Sequence, residues 1–207
     1  MQSLLNQVKS LEKTEVNNLI ENKLKEFKSF ENKTNEEWFS ELCFCILTAN
    51  SRASTAIAIQ KELGPKGFLT KKQKELAMCI LKNKHRFYNN KSKYILEARK
   101  YKDIRNKIRN MSENEAREWI VNNIKGIGYK EASHFLRNTG KLNLAILDRH
   151  IINLMIENNI IEKPKTLTKK NYEQIEQKFN NLSKEVNMSP AKLDMFMWYL
   201  KTGEVLK

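Results

Sequence analysis

The chain has 207 residues, enough to bury a core without disulfides or metals, as one large domain or two small ones. A hydrophobic share of 40% excludes wholesale disorder, and no run reaches the roughly 18 apolar residues of a membrane span. Lysine and arginine number 38 against 24 aspartates and glutamates, and the net +14 favours polyanions, a signature shared by a solvated lysine coat and by binders of anionic membranes.

In chain order the elements read as helices, with apolar residues recurring at three and four and not at two. The N-terminal residues lack a signal-peptide core, and Val16, Leu19, Ile20, Leu24 and Phe27 make the first apolar stripe. Thr34-x-x-Glu37, Thr70-x-x-Gln73 and Ser112-x-x-Glu115 each have the form of a capping box ahead of an amphipathic run. Cys43 and Cys45 point to different faces of one helix and, with Cys79, make an odd count. That pattern indicates reduced buried thiols and a cytoplasmic compartment, with no metal or cluster site. Asn50 closes the helix that carries Cys43 to Ala49, where a C-cap asparagine would stand. Gly64-Pro65-Lys66-Gly67 separates two helices, Pro164 and Thr166 to Thr168 mark a loop before another, and Ser189-Pro190 opens a last helix that ends near Gly203. With no strand pair or repeat, the expected fold class is all-α.

Between a helix running from Ser112 to Asn123 and another from Tyr129 to Asn138 lies Ile124-Lys125-Gly126-Ile127-Gly128. Two glycines two apart permit positive φ and close approach of a phosphate. The amides from Gly126 to Lys130 then sit at a helix N-terminus, where unpaired N–H groups and the dipole favour an anion, and Lys125 adds a charge. A tight turn with no ligand fits the same glycine pattern. Lys130, in the first turn, is a surface lysine or a nucleophile on local evidence alone. Asp148 stands where an N-cap belongs, ahead of Ile151, Ile152 and Met155. In the last helix Leu193, Phe196, Met197 and Leu200 form the core stripe. Trp198 falls off it, with Asp194 and Lys201, and is free to stack on a base or pack on another helix.

Ile124 to Ala132 followed by Leu147-Asp148-Arg149-His150-Ile151 resembles the helix-hairpin-helix superfamily of DNA glycosylases. Trp198 to Lys207, Asn32 to Phe39 and Cys43 to Asn50 narrow the resemblance to the archaeal-type (type 2) 8-oxoguanine DNA glycosylase/AP lyases. The resemblance implies two helical lobes with a DNA-binding cleft, one lobe of residues 36–145 ending in the hairpin, the other of 1–35 plus 146–207. It implies a monomer acting on double-stranded DNA that contains 8-oxoguanine or an abasic site, with no cofactor beyond a monovalent cation that relatives often hold on hairpin carbonyls. It assigns catalysis to Lys130 and Asp148 and DNA contacts to Asn50, Lys125, Gly126 and Gly128. It makes Phe87 and Trp198 the two walls around the flipped base, and has a carboxylate at Lys207 contact that base.

Such an enzyme needs a neutral amine to attack the sugar C1′. A free lysine titrates near ~10.4, so work at pH 7 to 8 asks for roughly 4 kcal/mol. A helix N-terminus supplies only about 0.3–1 kcal/mol, so Lys130 is expected at the base of a closed pocket, where burial supplies the rest. Other readings of the residues are a glycosylase for oxidised pyrimidines, a non-catalytic helix-hairpin-helix tether and an RNA-binding helical protein.

Overall fold

The computed structural model describes residues 2–207; Met1, the first residue of the N-terminal segment, lies outside them. Among the described residues the regular elements are all helical. They are α1 (Gln2–Leu11), α2 (Glu15–Ser29), α3 (Asn35–Thr48), α4 (Ala53–Thr70), α5 (Gln73–Lys82) and α6 (Tyr88–Ala98). The chain continues through α7 (Ile104–Ile108), α8 (Glu113–Asn123), α9 (Tyr129–Asn138), α10 (Arg149–Glu157), α11 (Lys169–Glu185) and α12 (Pro190–Thr202). Among them no helix is long and apolar enough to cross a membrane.

Side-chain caps set most of the helix starts. Thr34 and Ser112 accept the amides of Glu37 and Glu115, whose carboxylates return to the cap residues. Ser189 accepts from the Lys192 amide with Pro190 in the first turn, and Gly203, at φ +71°, ends α12 in the left-handed region. The box expected at Thr70 and Gln73 does not form. Thr70 sits in the last turn of α4 and its hydroxyl donates back to the Lys66 carbonyl at 2.8 Å. Lys72 caps α5 instead, its N–H donating to the Glu75 carboxylate at 2.8 Å, a charge-assisted bond that Gln73 could not offer Thr70. Gly64 breaks α4 at φ +60°, and Pro65 opens the second segment.

The buried apolar side chains fall into two clusters. One draws on residues 38–144 and is built around α3, nearly all of whose side chains from Trp38 to Thr48 are buried. The other draws on residues 4–27 and 145–197. In α2 the stripe is Val16, Ile20, Leu24 and Phe27, while Leu19 is 55% exposed. Two buried ion pairs tie the hairpin helices to the second cluster. Arg117 of α8 donates to Glu176 of α11 at 2.8 Å, and Arg137 of α9 donates to Asp194 of α12 at 2.7 Å. Asp194 therefore does not share a solvent face with Trp198. Residues Leu193 to Met197 of α12 are all buried, because this helix is covered by α1, α2, α10 and α11.

Candidate active site

The hairpin between α8 and α9 is Ile124 to Gly128. Ile124 and Ile127 are buried anchors in the first cluster, which leaves Lys125, Gly126 and Gly128 exposed. Gly126 has φ +84°, and a Cβ there would strike the Tyr94 ring. Gly128 has φ −103° and needs no such freedom. Its contribution is its amide, which donates to Glu131 Oε2 at 3.3 Å at the start of α9. Lys125 is 58% exposed, with its Nζ 3.7 Å from Glu97, a loose pair that competes little with a phosphate. Gly126→Ala is expected to cost about 1–3 kcal/mol of backbone strain. A chain of this length should melt roughly 2–12 °C lower, with weaker binding to duplex DNA, as thermal melts and a binding titration would read. Unchanged melting and affinity would remove the need for glycine at this position.

Lys130 follows in the first turn of α9. Its side chain is 27% exposed, and its Nζ lies 3.3 Å from Glu131 Oε1. Its burial is therefore partial, short of the full enclosure expected for it. The Glu131 carboxylate bridges the Gly128 amide and the Lys130 ammonium and so occupies the anion position that the glycine motif suggested.

Asp148 caps α10, with Oδ1 accepting the amides of His150 at 2.8 Å and Ile151 at 2.9 Å. The carboxyl of buried Asp194 lies within reach of the charges of Arg137, Asp148 and Lys130, and burial pushes it up to about 7. One turn below Lys130, buried His134 packs edge-on against Phe44, with ring centroids 5.5 Å apart. Burial holds that imidazole well below its ordinary range, against a smaller opposing contribution from the Lys207 backbone beside the ring. Lys91 of α6 is also buried beside Lys130 and Glu131, its Nζ donating to the Ile46 carbonyl at 2.6 Å; burial brings it down to about 8.

The aromatic candidates sit on different elements. Trp198 meets His150 edge-on at 4.9 Å, which places it beside the Asp148 cap, and its buried Nε1 has no bonded partner. Phe87 is 36% exposed just ahead of α6, with the Arg86 guanidinium 4.8 Å from its ring. His85 fixes the backbone there. Its Nδ1 accepts from the Phe87 amide at 3.1 Å, so Nε2 carries the proton given to the Leu47 carbonyl at 2.9 Å. Asn50 is exposed at φ +62°, the left-handed position after α3 that asparagine tolerates. Lys207 reaches away from α12 into the first cluster, its ammonium 4.2 Å over the Phe44 ring. Sequence reasoning missed Glu131, His134, Lys91 and the Arg137–Asp194 pair. For His134 a signal existed, since a residue four after Lys130 shares its helix face.

A model of the 8-oxoguanine DNA glycosylase family matches residues 20–188. The chain belongs to that family. A relative from Methanocaldococcus jannaschii, an 8-oxoguanine DNA glycosylase/AP lyase, is 49% identical over 206 residues, covering 99% of both chains. One from Korarchaeum cryptofilum with the same description is 40% identical over 209 residues, covering 99% of this chain and 98% of its own. The M. jannaschii enzyme crystallised with a 15mer DNA containing 8-oxoguanine superposes with a TM-score of 0.96 over 99% of this chain and 100% of that one. The Thermotoga maritima 8-oxoguanine DNA glycosylase, 39% identical, gives 0.94 over 100% and 99%. This glycosylase family member therefore has the helix-hairpin-helix fold of those enzymes, with Lys130 and Asp148 at the starts of the two helices that follow the hairpin.

Proposed function

We propose that the chain excises 8-oxoguanine from duplex DNA and cleaves the resulting abasic site by β-elimination through a Schiff base on Lys130. The observation that carries this is the placement of Lys130 in the first turn of α9, directly after the exposed Gly126–Gly128 turn, with Asp148 as the cap of α10, in a chain that superposes on an enzyme bound to 8-oxoguanine DNA. Neutral Nζ attacks C1′, and the electron pair of the glycosidic bond leaves with the base, which takes up a proton. The sugar ring then opens to an imine, and loss of a C2′ proton expels the 3′ phosphate. Asp148 offsets positive charge developing on the deoxyribose and assists the proton transfers.

The duplex lies between the two clusters, residues 36–145 on one side and 1–35 with 146–207 on the other. The exposed hairpin at Lys125, Gly126 and Gly128 grips phosphate. For this the Glu131 carboxylate yields the Gly128 amide to the incoming anion, which also frees Lys130 from its ion pair. DNA closes over Lys130 and adds to its desolvation. Asn50 fills the space left in the stack, and Phe87, Trp198 and Lys207 receive the base. If a monovalent cation joins, the hairpin carbonyls suit it. The Ile124 carbonyl accepts from the Ile127 amide at a long 3.4 Å and keeps a lone pair for a hard cation.

Duplexes carrying 8-oxoguanine, thymine glycol or a preformed abasic site separate the alternatives. Release of 8-oxoguanine and nicking at abasic sites, with thymine glycol left intact, is the expected result. Preferential release of thymine glycol would select the oxidised-pyrimidine reading, and binding without any cleavage would select the tether.

A further inference from the structure

The segment after α12 leaves the second cluster and ends in the first. Val205 still packs with the second cluster, while the Lys207 ammonium, two residues on, enters a socket between α3 and α4. There Nζ donates to Glu41 Oε2 at 2.7 Å and to Gln60 Oε1 at 2.6 Å. Glu41 is 2% exposed, and a carboxylate so placed costs free energy unless a cation and hydrogen bonds meet it. Its donors are specific. Asn138, the last residue of the hairpin helix, gives Nδ2 to Oε1 at 2.7 Å, and Gln60 gives Nε2 to Oε2 at 3.1 Å. Gln60 is oriented in turn, because the same Nε2 also donates to the Ser40 carbonyl at 3.2 Å, which turns its Oε1 toward Lys207. The network continues from Asn138 Oδ1 to Arg137 and Asp194, and so back to α12.

The geometry points to Glu41 and Gln60 as positioning residues for base recognition: they are the socket that holds Lys207, and with it the tail, against the flipped-base site. This rests on the assignment of Lys207 to that site. The physical case is the cost of order. A lysine on a short coil segment has many rotamers, and a tail of this kind ordinarily frays. A buried counter-charge with a second oriented acceptor removes that freedom before DNA arrives, which is what a contact that discriminates between bases requires.

The test compares Glu41→Gln, Lys207→Met, Lys207→Arg and the Glu41→Gln/Lys207→Met double variant. Each is followed by single-turnover excision of 8-oxoguanine, by cleavage of a preformed abasic site, and by NMR order parameters of the Val205 and Leu206 methyl groups. Glu41→Gln and Lys207→Met are expected to free both methyls and to slow 8-oxoguanine excision by up to about a hundredfold, the scale of a misplacement of about 1 Å. Abasic-site cleavage should stay within about twofold, and the double variant should lose no more than either single one. Lys207→Arg, which keeps a cation for Glu41, should recover most of the loss. Methyls that stay ordered without the Glu41 charge would overturn the socket. So would an equal loss on both substrates, the mark of a merely structural role. Freed methyls with full excision of 8-oxoguanine would keep the socket and remove Lys207 from the base site.

Discussion

Replacing Lys130 with glutamine is expected to abolish borohydride trapping of the protein on DNA that carries 8-oxoguanine or an abasic site. The loss of strand cleavage should be on the order of 10⁴-fold or more, the scale for removing a covalent nucleophile. Binding to the same duplexes should survive, because the phosphate grip is proposed to belong to Lys125 and the hairpin amides. The side chain is 27% exposed, so glutamine fits there without burying a new polar group. The demand on Lys130 is about 4 kcal/mol in favour of the neutral amine, and the start of α9 contributes only about 0.3–1 kcal/mol of it. In the free protein the ammonium is paired with Glu131, and in the proposed reaction the duplex expels water and draws Glu131 away, both of which favour the neutral amine. Trapping that persists in the glutamine variant would exclude Lys130 as the nucleophile.

How far this site was legible in the sequence depended on whether the cause was local. Helix caps and glycines act over three or four residues, so the hairpin, the span of α9 and the Asp148 cap could be read directly. The Thr70 box failed on the same scale, because Lys72 and Glu75 offered a better pair two residues on. Groups that meet only through tertiary packing were not visible. Asp194 looked like one side of an off-stripe face until the neighbouring helices covered it and Arg137 arrived from α9. Nothing local in the sequence singles out Glu41. Its significance comes from Lys207, 166 residues away in the chain. The remaining exposure of Lys130 was also beyond reach, since enclosure is a property of what lies opposite a helix face.

Asp148 carries two roles, and paired substitutions separate them. Asparagine caps a helix about as well as aspartate, so Asp148→Asn should change stability by no more than roughly 0.5 kcal/mol. Alanine removes the cap and should cost about 1 kcal/mol, or roughly 2–4 °C in melting temperature for a chain of this length. Chemistry should respond differently. Both cap bonds fall on Oδ1, so the second oxygen has no protein donor among the described residues and is left for the role proposed for it toward the deoxyribose. Loss of that charge leaves the oxocarbenium-like transition state without its counter-ion, at a cost of about 10²–10³ in the base-excision rate, the range for one preorganised electrostatic group. The loss should be nearly the same for asparagine and alanine, since both remove the charge. Cleavage of a preformed abasic site should fall less, because no glycosidic bond has to break. If Asp148→Asn keeps full excision, the carboxylate serves α10 alone; if excision tracks melting temperature across the two variants, the cap and not the charge sets the rate.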